Sequence, residues 1–244
     1  MIFYDYTYIW FLLILIPFML LSAWASARVN STYSKFDRVS NSSHMTGYDA
    51  AVRLLQRNGV NDISVNRVGG RLSDHYHPLK KQVNLSESTY GSASVAAVAV
   101  AAHEIGHVLQ KKKGYLPYKI RSVLVPAANI GSRLAVPLIL IGIVLDLIFY
   151  STPTYIGLWF MYAGIIFYGL SMLFVLVTLP VEFDASRRAK KMLVSEGILT
   201  ENELVGAKKV LSAAAMTYVA SMLISLIYFL RYLLIVLSYV GRRK

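Results

Sequence analysis

The chain has 244 residues, 56% hydrophobic and only 16% charged, with a mean hydropathy of +0.50 and a formal net charge of +12. That composition excludes an ordinary soluble domain and leaves room for a few membrane-spanning helices plus one small aqueous unit. The lack of cysteine excludes a disulfide framework and any thiolate metal site.

Residues 6–27 form the first long uncharged run. Its start carries Asp5 and no Lys or Arg, and it is longer than a signal-peptide core, so it reads as an uncleaved anchor although Ala25-Ser26-Ala27 looks like a cleavage site. Residues 29–43 are polar and rich in Ser and Asn, and read as a tether. A helix is predicted over 46–58, with Ala50, Ala51, Leu54 and Leu55 on one face and Asn58-Gly59 as its stop. Strands are predicted at 63–68, 71–74 and 80–85, with Gly69-Gly70 turning the chain. Residues 92–110 make an Ala- and Val-rich helix, closed by Lys111-Lys112-Lys113 and Gly114. Pro117 and Pro126 make 115–133 an interfacial stretch. Apolar runs follow at 134–150 and 155–181, on either side of a Ser151-Thr152-Pro153-Thr154 hairpin. Glu201, Glu203, Lys208 and Lys209 mark an aqueous segment before the last run, 211–230, and the basic tail Arg242-Arg243-Lys244.

Each run is about as long as the roughly 20 residues that cross a hydrocarbon core. The expected fold is an α+β membrane protein: about four transmembrane helices with a small zincin-like unit made of an active-site helix and a short sheet. Its expected parts are an anchor (1–27), a catalytic unit (28–122), two spans (123–181), a helix and aqueous segment (182–210), and a last span with its tail (211–244). Four crossings put 28–121 and 182–209 on one face of a cell membrane. All Lys and Arg except Arg133, Arg231, Arg242, Arg243 and Lys244 fall there, which makes that face cytoplasmic by the positive-inside rule. Basic clusters at Lys111–Lys113, Arg187-Arg188 and Lys190-Lys191 face anionic headgroups, so the net charge needs no nucleic-acid partner.

The chemistry is concentrated in His103-Glu104-Ile105-Gly106-His107. On a helix, residues i and i+4 share a face, so His103 and His107 can bind one Zn²⁺ while Glu104 takes a proton from water. A catalytic zinc generally has three protein ligands and an open fourth position. The candidates for the third are Glu182, Asp184, Asp146, Asp74, His75 and His77. Glu182 is preferred because it ends the third apolar run on the face that carries the His pair. Asp184 is better placed to orient a ligand histidine or to pair with Arg187 or Arg188. His75, Tyr76 and Arg187 are candidates to stabilise an oxyanion. Residues 80–85 are the candidate edge for pairing an extended substrate.

The segments 101–107, Glu182-Phe183-Asp184-Ala185-Ser186-Arg187-Arg188 and Asp74-His75-Tyr76-His77-Pro78 resemble the YugP-type membrane zinc metallopeptidases over nearly the whole chain. More distantly, the chain is similar to the HtpX and CAAX-prenyl endopeptidases. The resemblance implies that His103, His107 and Glu182 hold one zinc ion and that Glu104 is the base. It departs at His77, where the family pattern has an acidic residue, and at Ser186, where the HtpX type has Asp. The implied activity is hydrolysis of membrane or membrane-proximal proteins. Two other readings remain open: a site-2-type intramembrane protease with Asp146 as third ligand, and a non-catalytic membrane protein clamped by zinc.

Overall fold

The computed structural model describes residues 6–149 and 154–242. The hairpin positions Ser151, Thr152 and Pro153 and the tail positions Arg243 and Lys244 lie outside them. The elements run α1 (Tyr6–Asp37), α2 (Gly47–Arg57), β1 (Ser64–Val68), β2 (His75–His77), β3 (Gln82–Ser86), α3 (Glu87–Tyr90), α4 (Val95–Lys112), α5 (Leu116–Ile148), α6 (Ile156–Ser195) and α7 (Glu201–Arg242). The protein is thus largely helical with one small sheet. Among the described residues, four helices (α1, α5, α6 and α7) are long and apolar enough to cross a membrane, and each carries one of the apolar runs.

The chain forms two compact units. One takes in α1 up to Ser22, residues 120–178 and the chain from Tyr218 onward. Within it α5 and α6 approach so closely that a Cβ on Gly142 would lie 2.6 Å from the Gly157 carbonyl oxygen. Small residues at a membrane-helix contact permit such an approach, and with it van der Waals packing and no hydrophobic driving force.

The other unit contains residues 23–119 and 179–217. Its core joins Leu54 and Leu55 of α2, Val83 and Leu85 of β3, Ile105 and Leu109 of α4, and Leu193 of α6. Helix α2 starts with a capping box in which Thr46 and Asp49 satisfy each other's backbone N–H groups. The sheet order is β1-β3-β2, with β1 parallel and β2 antiparallel to β3. The α4 N-terminus is capped by Ser94, whose hydroxyl accepts from Ala97 N–H and donates to Asp37.

Four expectations change. The 29–43 tether is helical as far as Asp37, because Tyr33 packs fully buried against Ala96 and Val210 and donates its hydroxyl hydrogen bond to the Ser88 carbonyl at 3.0 Å. Residues 71–74 form no strand: Leu72 takes a left-handed φ of 56°, and the third strand is the shorter β2. The 80–85 segment, as β3, pairs on both sides and offers no free edge. The 115–133 stretch belongs to the single helix α5: Pro117 sits in its first turn, where no N–H is missed, and Pro126 lies inside it.

Tyr33→Ala is expected to cost about 3–5 kcal/mol of unfolding free energy and Tyr33→Phe about 1 kcal/mol. Denaturant unfolding in detergent micelles measures both. Wild-type stability in Tyr33→Ala would mean that this part of α1 is the solvated tether that composition suggests.

Candidate metal centre

The site is built where α4 crosses the lower part of α6. A Cβ on Gly106 would stand 2.7 Å from the Ala185 carbonyl oxygen, so only glycine allows the two backbones to touch here. Gly106 lies between His103 and His107 in sequence, and Ala185 is three residues beyond Glu182. The contact therefore brings the Glu182 carboxylate to the histidine face of α4. Pro180 is accommodated inside α6 without ending it, so the helix runs through Val181 and Glu182 to Ser195.

Glu182 Oε2 lies 3.1 Å from His103 Nε2 and 3.6 Å from His107 Nε2. Ligand atoms on a tetrahedral zinc with bonds of 2.0–2.1 Å stand about 3.3 Å apart. The two histidine rings meet edge to face with centroids 4.8 Å apart, and the three candidate ligand atoms all fall within 4.8 Å of one another. Two imidazole nitrogens and one carboxylate oxygen form a donor set suited to zinc, with a position left for water or substrate. Asp146 is not part of this group.

Both rings are oriented from behind. His107 Nδ1–H donates to Gln110 Oε1 at 3.0 Å, which leaves Nε2 with its lone pair toward Glu182. The Gln110 amide is itself fixed: fully buried, it donates to the Val181 carbonyl at 2.7 Å and to Asp184 Oδ2 at 3.0 Å. Asp184 in turn accepts from Arg188 at 2.6 Å and from Arg187. Burial works against its charge, but these donors outweigh it. His103 Nδ1 has Ser186 Oγ at 3.2 Å. The hydroxyl supplies a hydrogen-bond partner without adding a charge.

Glu104 lies beside the histidines and is 7% exposed. Burial pushes its carboxyl up to about 7, and the neighbouring Glu182 and Asp74 add to the rise; His103 and a hydrogen bond from the Tyr76 backbone N–H oppose it. That bond uses an N–H of β2, a strand at the edge of the sheet.

Of the oxyanion candidates, Tyr76 alone is tied to Glu104. Burial pushes its phenol up to about 12, with Tyr118 next in effect, so it stays a neutral O–H at neutral pH. His75 is held elsewhere, with Nδ1 on the Ser73 carbonyl and Nε2 on Asn84, and Arg187 is committed to Asp184. Two residues escaped the sequence reading. Gln110 stands three residues after His107 on the same helix face, a spacing that would have revealed it. Tyr118 packs with its ring 6.5 Å from that of His107, brought there by the first turn of α5, and no local pattern announces it.

Gln110→Leu is expected to weaken zinc binding about 10- to 100-fold, since outer partners of a ligand histidine typically contribute that much. Competition with a chromogenic chelator measures it. Unchanged affinity would mean that His107 needs no fixed tautomer.

The family described as "Putative neutral zinc metallopeptidase" matches residues 11–237. The "Putative membrane protease YugP" of Bacillus subtilis (strain 168) is 42% identical over 228 residues, covering 93% of this chain and 97% of that protein. No solved structure matches the chain. By the extent of both matches, the chain belongs to the neutral zinc metallopeptidase family.

Proposed function

We propose that this protein is a membrane-embedded zinc endopeptidase in which His103, His107 and Glu182 hold one zinc ion and Glu104 is the general base. The observation that carries the reading is the convergence of two imidazole nitrogens and the Glu182 oxygen, with Glu104 buried beside them. When bound, zinc would supply Lewis acidity toward the scissile carbonyl and toward water. Glu104 takes a proton from the attacking water as it adds to the carbonyl. It then returns that proton to the departing amine, so the peptide bond breaks with acid and free amine as products. Asp184 and Gln110 act as positioning residues for His107, and Ser186 for His103.

The substrate aligns along the free edge of β2, next to the Tyr76 N–H that already reaches Glu104. Tyr76 is the candidate to donate its hydroxyl to the developing oxyanion. The name of the Bacillus subtilis relative and the four apolar helices support substrates in or near a bilayer. The distribution of Lys and Arg supports a cell membrane with the catalytic residues on its cytoplasmic side.

Glu104→Gln is expected to retain zinc and lose about 10²- to 10⁴-fold in turnover, the usual contribution of a general base. Glu182→Ala is expected to lose the zinc itself, while Asp146→Asn keeps it. Metal analysis of the purified variants, together with cleavage of an unfolded protein in detergent, gives both readings. Zinc retained in Glu182→Ala but lost in Asp146→Asn would overturn the assignment in favour of the site-2 arrangement.

A further inference from the structure

We infer a second site on the same unit: a groove between α1 and α7 that binds the phosphate of an anionic phospholipid. The groove has a volume of about 860 Å³ and is lined by four cations, Arg28, Lys35, Lys208 and Lys209, and by no acidic residue. Its walls are regular helix faces. Arg28, Ser31, Thr32 and Lys35 follow one another at spacings of three and four on α1, as do Val205, Lys208, Lys209 and Ser212 on α7.

Among the described residues, none of these four cations forms an ion pair with a carboxylate. Elsewhere in the unit such pairs are common: Arg57 meets Glu196, Lys81 meets Asp62, and Arg187 and Arg188 share Asp184. Four like charges lining one cavity repel each other, and among the described residues no carboxylate lies within ion-pairing distance of any of them. A bound anion compensates them. Arg supplies a planar fork and Lys mobile ammonium donors, the chemistry of phosphate recognition, and the hydroxyls of Ser31, Thr32 and Ser212 line the same space.

The lipid source follows from what else lines the groove. Trp24 stands at the end of the apolar run 6–27, and Met216 lies within the run 211–230. Arg28 stacks over Trp24, with its guanidinium carbon 5.2 Å from the ring centroid. Apolar and aromatic side chains (Trp24, Phe36, Val205 and Met216) therefore line the groove together with the four cations, which suits an amphiphile better than a free anion.

The test is uptake of phosphatidylglycerol by the full chain in neutral detergent micelles, followed by native mass spectrometry. Micelles remove the diffuse potential of a charged bilayer, so only a defined site retains lipid. The wild type is expected to take up one phosphatidylglycerol saturably and no phosphatidylcholine. Lys208→Gln/Lys209→Gln is expected to lose about 30-fold in apparent affinity, a factor of about five per lysine. Arg28→Gln/Lys35→Gln, on the opposite wall, is expected to lose as much. Lys190→Gln/Lys191→Gln, equal in charge change but outside the groove, stays within about twofold. Retained zinc content in each variant shows that the unit is folded. Equal losses in the groove and control pairs, or no uptake by the wild type, overturn the site. Displacement of the lipid by inorganic phosphate at matching concentration overturns the lipid as occupant.

Discussion

The contact between Gly106 and Ala185 is the constraint on which the candidate site depends. Histidines four residues apart are arranged by the helix alone, but the third donor arrives from a segment 75 positions after His107. Only backbone-to-backbone contact between α4 and α6 brings a short carboxylate side chain within reach of both rings. A Cβ at position 106 would stand 2.7 Å from the Ala185 carbonyl oxygen, so any larger residue there forces the two helices apart. Close packing, not local chemistry, thus decides whether the two imidazoles and the carboxylate meet.

Behind that contact, polar groups form a chain that runs from the surface arginines to buried Asp184, Gln110 and His107, in which each donor finds an acceptor. Arg187 and Arg188 hold Asp184, Asp184 holds Gln110, and Gln110 holds His107. An amide in a fully buried position is costly unless both its ends are satisfied. Here the oxygen is used by His107 and the nitrogen by Val181 and Asp184, so the amide cannot rotate without breaking all three bonds. The chain transfers the rigidity of two helices to one imidazole nitrogen.

What could be read from sequence follows from the range of the interactions. The histidine pair and Glu104 were legible because one helix turn contains them. Helix α2 was legible because its apolar face and both caps lie within a dozen residues. Glu182 was singled out only by its place at the end of an apolar run and by family resemblance. Prolines set 115–133 apart as an interfacial stretch, yet Pro117 stands in a first turn and Pro126 is absorbed within α5. Polar composition misled at 29–43, where one buried tyrosine and side-chain bonds such as Ser34 to the Asn30 carbonyl keep the chain helical. Strand 80–85 was placed rightly along the chain, but whether it lay at an edge or inside the sheet was not legible, because sheet order is set by partners far away in sequence.

Glu104 and Glu182 also pose an electrostatic problem that bears on how the site is loaded. Both carboxylates are buried, and burial together with the neighbouring Glu182 pushes the Glu104 carboxyl up to about 7. On the proposed reading, a divalent cation held by the two imidazoles and Glu182 would offset that repulsion and favour the ionised form of Glu104, so metal loading and base strength would be linked.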